Sequence, residues 1–135
     1  MYTGSNWAGD QKTRRSTSGG ILCYEKGVIS TWAKLQSLIA LSSAEAEYLA
    51  MLKGVHEALA LRTILLELGI ETHITLYTDS AAAKGSVEKP GLMHMKHMQL
   101  RELFLKQVVQ QGIVTVEKIA TENNPADILT KAADK

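Results

Sequence analysis

A long helix is the most regular pattern in this chain. Apolar residues recur three or four positions apart from Leu49 to Leu68, which predicts a helix over residues 43–68 that ends at Gly69. Gly54 lies inside this helix and lowers its helix propensity. We therefore expect another backbone to approach closely at Gly54.

Five shorter runs are apolar or alternate between apolar and polar residues, which is typical of strands. They cover residues 2–9, 19–24, 28–33, 74–78 and 113–120. Residues 25–27 (EKG) predict a turn, so the second and third strands should form a hairpin. Helical patterns occupy residues 80–84, stopped by Gly85, then 93–111, and a last segment with Asn124 as its N-cap. This order predicts an α/β fold in which helices pack on a mixed sheet.

The start of the long helix carries two glutamates with different predicted duties. Ser42 and Glu45 fit a capping box. Ser42 would accept a hydrogen bond from the third helical N–H, and Glu45 would reach back to the N–H of Ser42. Glu47 has no such duty, and this stretch alone favours the interpretation that it complements the helix dipole.

Composition narrows the class of protein. With 135 residues, 45% of them hydrophobic, the chain suits one domain with one core. Its net charge of +1 argues against a strongly electrostatic nucleic-acid binder but leaves room for a basic face. The single cysteine, Cys23, excludes an intramolecular disulfide and a thiolate zinc cluster. We find no signal peptide and no apolar run of membrane length, so we expect an intracellular domain without membrane contact.

Three acids stand where predicted elements begin or end. Glu47 and Asp127 fall near the starts of helices, and Asp79 follows a strand. Each alone is explained by capping or by a helix dipole. Together they favour oxygen ligation of a hard divalent cation such as Mg²⁺, and hence metal-dependent hydrolysis of a phosphodiester.

Six motifs follow one another along nearly the whole chain. They are residues 7–10 (WAGD), 15–19 (RSTSG), 40–48 (ALSSAEAEY), 77–80 (YTDS), 96–97 (KH) and 124–131 (NPADILTK). In this order they resemble the ribonuclease H domain of copia-type LTR retrotransposon polyproteins. The resemblance implies a ribonuclease H-like α/β fold, a five-stranded mixed sheet flanked by helices, in a single domain over residues 1–135.

The resemblance also implies an activity and partners. The activity is cleavage of the RNA strand of an RNA–DNA hybrid, with Mg²⁺ or Mn²⁺ as the cofactor. The domain would form part of a polyprotein with reverse transcriptase. It would work in the cytoplasm, within a retroelement particle, or in the nucleus.

The site that the resemblance implies is incomplete in this chain. The family's helix glutamate, strand aspartate and last-helix aspartate fall on Glu47, Asp79 and Asp127, as catalytic residues and metal ligands. Its fourth acid, on the first strand, falls on Gly4, which has no side chain to ligate a metal. We therefore expect an incomplete two-metal site. A hybrid ribonuclease is the first hypothesis, and a catalytically impaired nucleic-acid-binding or structural module is the alternative.

Several basic residues are candidates for contacts with nucleic-acid phosphates. They are Arg14, Arg15, Lys84, Lys89 and Lys96. Phosphate contacts position a nucleic acid without reading its sequence, so we expect no strong sequence preference. The alternative is that these charges form an ordinary solvated surface.

Overall fold

The computed structural model describes residues 1–89 and 99–131 of the chain. The strands are β1 (Tyr2–Asn6), β2 (Thr17–Tyr24), β3 (Gly27–Leu35), β4 (Ile74–Thr78) and β5 (Val114–Lys118). The helices are α1 (Ser43–Glu67), α2 (Ala81–Glu88), α3 (Gln99–Gln110) and α4 (Asp127–Thr130), and a 3₁₀ turn spans Thr121–Asn123. Within these residues, no helix combines the length and the apolar character needed to cross a bilayer.

The five strands form one mixed sheet in the order β3-β2-β1-β4-β5. β1 runs antiparallel to β2 and parallel to β4, and β5 is parallel to β4. The predicted hairpin of β2 and β3 is confirmed, with Tyr24 paired to Gly27 at the turn. The α/β class and the five-stranded mixed sheet flanked by helices are thereby confirmed. The first strand ends at Asn6 and is therefore shorter than the predicted strand over residues 2–9.

Helices cover both faces of this sheet. Successive strand residues point to opposite faces. On β1, Thr3 points to α1, where a Cβ added at Gly54 would lie 2.5 Å from Thr3 Cγ2. A Cβ added at Gly4 would point to the other face, 3.2 Å from Asp127 Oδ1 and 3.9 Å from Ala126 Cβ. α1, α2 and α3 therefore lie together on one face, and α4 lies on the other. A close approach does occur at Gly54, but the side chains of Thr3 and Met1 make it rather than a backbone.

The hydrophobic core lies between α1 and the sheet. Tyr48, Met51 and Val55 of α1 are fully buried there. They pack in one cluster with Leu76 of β4 and Leu105 of α3. Burying a large apolar side chain contributes about 1.5–3 kcal/mol relative to leaving it exposed. This packing holds the start of α1, and with it Glu47, in a defined place on the sheet.

The short helix α4 lies on a floor of small residues. Gly4, Gly19 and Ala33 are paired neighbours across β1, β2 and β3. We call these three residues the small-residue floor. A Cβ added at Gly19 would lie 2.7 Å from Thr130 Cγ2 and 3.0 Å from Leu129 Cβ. The absence of a side chain at Gly19 is what lets α4 approach the sheet so closely.

The predicted caps of α1 are confirmed in outline. The helix begins at Ser43, and Ser42 Oγ accepts a hydrogen bond from Glu45 N at 3.1 Å. Glu45 Oε2 accepts from Leu41 N at 3.0 Å, one residue before the predicted partner. At the other end Gly69 has a φ of +79°, the left-handed conformation that glycine tolerates at a helix terminus.

Two other helix ends differ from prediction. α2 continues through Gly85 to Glu88, because one glycine costs a helix only about 1 kcal/mol. The last helix begins at Asp127 with Ala126 as its N-cap, not at Asn124. Asn124 instead opens the preceding turn, where its Oδ1 accepts from Ala126 N at 3.2 Å. Residues 93–98 of the predicted helix 93–111 lie outside the described residues.

Candidate active site

The three predicted acids come from three elements that meet at one edge of the sheet. Glu47 lies near the start of α1, Asp79 directly follows β4, and Asp127 is the first residue of α4. β1 and β4 are parallel, with Tyr2 paired to Tyr77, so their carboxyl ends reach the same edge. Position 4 and position 79 each lie two residues beyond this pair, which puts Gly4 level with Asp79.

The charges of the three acids act on one another at this edge. Burial raises the pKa of Glu47 from its ordinary value of 4.5 to about 7. Hydrogen bonds from Ser5 oppose this rise in pKa, and the negative charges of Asp79 and Asp127 add to it. The structure therefore brings together all three acids that the sequence singled out.

Ser5 is a neighbour of Glu47 that sequence reasoning missed. Glu47 Oε1 accepts hydrogen bonds from Ser5 N at 2.9 Å and from Ser5 Oγ at 2.8 Å. The other carboxylate oxygen, Oε2, is buried and has no hydrogen-bond partner in the described part of the chain. Strand alternation places Ser5 on the face opposite to the Gly4 position, and this is the face that α1 covers.

Asp79 is not the cap of the helix that follows it. Ser80 caps α2, since its Oγ accepts a hydrogen bond from Ala83 N at 3.1 Å. Asp79 is half-buried and accepts no hydrogen bond from any described residue. The capping explanation of Asp79 is therefore wrong, and no described residue forms a hydrogen bond with its carboxylate.

Asp127 lies between the sheet and a surface lysine. Its Oδ1 faces Gly4, and its Oδ2 lies 3.4 Å from Lys131 Nζ. Lys131 is 71% exposed, and exposed ion pairs of this kind contribute little stability. Asn124 fastens this segment to β1, because its Nδ2 donates to Thr3 O at 3.0 Å. Lys131 and Asn124 lie within the motif at residues 124–131, which is the signal that points to them.

The donor set suits one hard divalent cation better than two. Mg²⁺ prefers oxygen ligands and is commonly held by one or two carboxylates together with phosphates of a substrate. Glu47 Oε2, which is buried and has no hydrogen bond from a described residue, would suit such an ion. Yet no group of three His, Cys, Asp or Glu side chains within residues 1–89 and 99–131 is arranged to hold a metal. With glycine at position 4, the residues fit ligation of a single ion and do not fit a two-ion clamp.

Two of the predicted phosphate contacts lie in the loop between β1 and β2. Arg14 is exposed and has a φ of +58°, and Arg15 is partly buried. Asp10 shapes the loop, because its Oδ1 accepts hydrogen bonds from Lys12 N at 2.8 Å and Thr13 N at 3.1 Å. These two arginines are therefore presented by an ordered turn.

The other predicted phosphate contacts are less uniform. Lys84 forms an ion pair with Glu88 one turn along α2. Lys89 is exposed at the end of α2. Lys96 lies outside the described residues.

The fold is that of ribonuclease H. LC11-RNase H1, solved in complex with an RNA/DNA hybrid, matches this chain with a TM-score of 0.70 over 95% of this chain and 90% of that chain. The two sequences are 14% identical, so this similarity is evidence for the fold alone. The predicted ribonuclease H-like fold is confirmed.

The chain belongs to the reverse transcriptase-like family, whose model matches residues 6–133. It is 36% identical over 137 residues to the retrovirus-related Pol polyprotein from transposon TNT 1-94 of Nicotiana tabacum, covering 99% of this chain and 10% of that protein. The polyprotein from transposon RE2 of Arabidopsis thaliana is 34% identical over 134 residues, covering 96% and 9%. The chain thus spans about a tenth of the length of these curated relatives. The predicted kinship with retrotransposon polyproteins is confirmed, and the copia type stays a prediction.

Proposed function

We propose that this domain binds RNA–DNA hybrids and that Gly4 limits its hydrolysis of the RNA strand. The observation that carries the proposal is the meeting of Glu47, Asp79 and Asp127 at a sheet edge where position 4 supplies no side chain. The shared fold with a ribonuclease solved on an RNA/DNA hybrid supports the substrate class. The similarity to Pol polyproteins supports a place beside reverse transcriptase.

In this proposal the chain's acids hold a Mg²⁺ or Mn²⁺ ion at the sheet edge. The ion, when bound, supplies charge stabilisation at the phosphoryl oxygens of the scissile bond. Glu47 offers Oε2, because Ser5 occupies Oε1. Asp79 and Asp127 approach from the end of β4 and the start of α4. The arginines of the β1–β2 loop and the basic residues Lys84, Lys89 and Lys96 contact phosphates.

Gly4 matters because of where an aspartate at this position would point. A Cβ there lies 3.2 Å from Asp127 Oδ1, so a carboxylate on it would face Asp127 across the edge of the sheet. Two carboxylates this close repel each other unless a proton or a cation compensates their charge, so an aspartate at position 4 would add a second oxygen ligand for a divalent cation beside Asp127. Without this carboxylate, Lys131 is the one described residue whose side chain pairs with the Asp127 carboxylate.

The second candidate is a hybrid-binding module that performs no cleavage. Two contacts favour it. Ser5 engages one oxygen of Glu47, and Lys131 lies beside one oxygen of Asp127, so protein groups already compensate part of the negative charge. A domain in this state would bind a nucleic acid through its basic residues without cleaving it.

One comparison separates the two candidates. The wild-type chain, Gly4→Asp and Gly4→Ala are incubated with a labelled RNA–DNA hybrid in Mg²⁺ and in Mn²⁺, and binding is measured in parallel by fluorescence anisotropy. Loss of a group that merely supports a metal site costs 10- to 100-fold, so we expect Gly4→Asp to cut at least about tenfold faster than wild type. Gly4→Ala adds the Cβ without the carboxylate and should gain nothing.

The outcomes assign the function. If wild type and Gly4→Asp cleave the hybrid at the same rate, Gly4 does not limit hydrolysis of the RNA strand. Binding of the hybrid by all three chains with cleavage by none would favour the non-catalytic module. Failure of all three to bind the hybrid would refute the proposed substrate class.

A further inference from the structure

The hydrogen bonds between Ser5 and Glu47 join two elements that are far apart in sequence. Ser5 lies near the end of β1, and Glu47 lies near the start of α1, 42 residues later. Both donors of Ser5, the backbone N–H and the hydroxyl, converge on the same oxygen, Glu47 Oε1, at 2.9 and 2.8 Å. A carboxylate held on one oxygen by two donors has a fixed rotation about its last torsion angle. The pair therefore sets the direction of the remaining oxygen.

The remaining oxygen is unusual for a buried polar atom. Glu47 Oε2 is buried and has no hydrogen-bond partner among the described residues. Leaving a buried polar group unsatisfied costs about 1–3 kcal/mol, and more when the group is charged. A water molecule, a ligand, a cation or a proton that satisfies the atom removes this cost. Its surroundings include Asp79 and Asp127, whose negative charges disfavour the ionised form unless a cation is present.

We propose that Ser5 is a positioning residue that fixes the Glu47 carboxylate so that Oε2 alone faces a divalent cation at the sheet edge. The inference rests on the proposed function, which makes Glu47 a metal ligand. It goes further, because it assigns to an uncharged residue the task of choosing which oxygen ligates. The backbone N–H of position 5 would be present with any residue except proline, whereas the second hydrogen bond needs a hydroxyl.

A purely structural explanation competes with this one. The same bonds could serve only to fasten β1 to α1, in which case the hydroxyl affects stability and nothing else. The two explanations differ in what metal affinity does. A bond that only fastens the two elements changes the free energy of unfolding alone, whereas a positioning bond also changes the affinity for a cation.

The chain offers a matched control for this distinction. Ser18 is the direct neighbour of Ser5 on β2 and also carries a hydroxyl in a hydrogen bond. Its Oγ accepts from Gln36 Nε2 at 2.8 Å, whereas the hydrogen bonds to Glu47 come from Ser5. Ser18→Ala therefore removes a hydroxyl of the same type, on the adjacent strand, without touching the carboxylate.

The test measures Mn²⁺ binding by electron paramagnetic resonance, together with thermal unfolding in EDTA. Ser5→Ala, Ser5→Thr and Ser18→Ala are each made in the wild-type chain and in Gly4→Asp. Loss of a hydrogen bond that orients a metal ligand typically costs 10- to 100-fold in affinity, so we expect Ser5→Ala to weaken Mn²⁺ binding by at least about tenfold. Ser5→Thr should keep the affinity, and Ser18→Ala should change unfolding without changing Mn²⁺ binding.

The failure of this inference is distinguishable from that of the proposed function. If Gly4→Asp binds Mn²⁺ and Ser5→Ala in that chain binds it equally well, Ser5 does not position Glu47, and the proposed function stands. Ser5 is equally ruled out as a positioning residue if Ser18→Ala weakens Mn²⁺ binding as much as Ser5→Ala. If no variant binds Mn²⁺, both the proposed metal site and the positioning role of Ser5 are refuted.

Discussion

The burial of Glu47 predicts a measurable dependence of stability on pH. Its pKa rises from 4.5 to about 7 in the folded chain, chiefly because burial disfavours the charged form. A carboxyl with a raised pKa binds its proton more tightly in the folded state. Glu47 therefore contributes most to the free energy of unfolding below pH 4.5, and this contribution is lost as the pH rises through about 7. Glu47→Gln removes this titration.

The size of the effect follows from the same values. Each pKa unit corresponds to about 1.4 kcal/mol, so the folded chain loses about 3 kcal/mol of free energy of unfolding to Glu47 between pH 4.5 and pH 7. The free energy of unfolding of Glu47→Gln minus that of wild type should therefore increase by about 3 kcal/mol from about pH 4 to about pH 8. The glutamine also places an amide N–H₂ near the position of Oε2. That cost does not vary with pH and cancels in the comparison.

The assay is urea unfolding of wild type and Glu47→Gln in EDTA, at intervals from pH 4 to pH 9. The other titrating groups of the chain are common to both proteins and drop out of the difference. Glu117→Gln, which changes an exposed glutamate on β5, is the control for removing one negative charge. A difference between wild type and Glu47→Gln that stays constant over this range would refute the burial of Glu47 at a crowded, acidic edge. A difference of the opposite sign would do the same.

Three further predictions concern the packing, the helix propensity and the capping of helices. Gly19→Ala should destabilise the chain by about 1–3 kcal/mol, because the new Cβ would lie 2.7 Å from Thr130 Cγ2. Gly85→Ala should stabilise the chain by up to about 1 kcal/mol, because nothing lies within 4 Å of the new Cβ and alanine is the better helix residue. The urea midpoint should fall for Gly19→Ala and rise for Gly85→Ala, and equal shifts for the two variants would contradict this account. Ser42→Ala should cost about 1 kcal/mol by removing the bond to Glu45 N, and Ser42→Thr should recover most of it in the same measurement.

The helix caps could be predicted because they are local. Ser42 bonds to an N–H only three residues ahead, so the spacing of side chains contains the whole interaction. The end of α2 shows the limit of this approach. A glycine at position 85 lowers helix propensity slightly, but Ser86 and Val87 beyond it are buried, and their packing outweighs the local cost.

The site could be predicted only in part, because its contacts are not local. The sequence named Glu47, Asp79 and Asp127 from their places at element ends and from the family motifs. It could not show that Ser80 rather than Asp79 caps α2, since adjacent residues can both cap. The contact of Ser5 with Glu47 depends on which face of the sheet α1 covers. Strand alternation gives two faces but does not say which one the helix takes.

The two faces of the sheet have a consequence for how long the site persists. Glu47 belongs to the helix that closes the hydrophobic core, whereas Asp127 belongs to a four-residue helix whose Ile128 is 79% exposed. That short helix rests on the small-residue floor and on the bond from Asn124 to Thr3. A segment held by so few contacts should open locally at a lower free energy than global unfolding requires. We therefore expect Asp127 to separate from Glu47 and Asp79 by local opening of α4 while the core stays closed, so that hydrogen exchange should be faster in α4 than in α1.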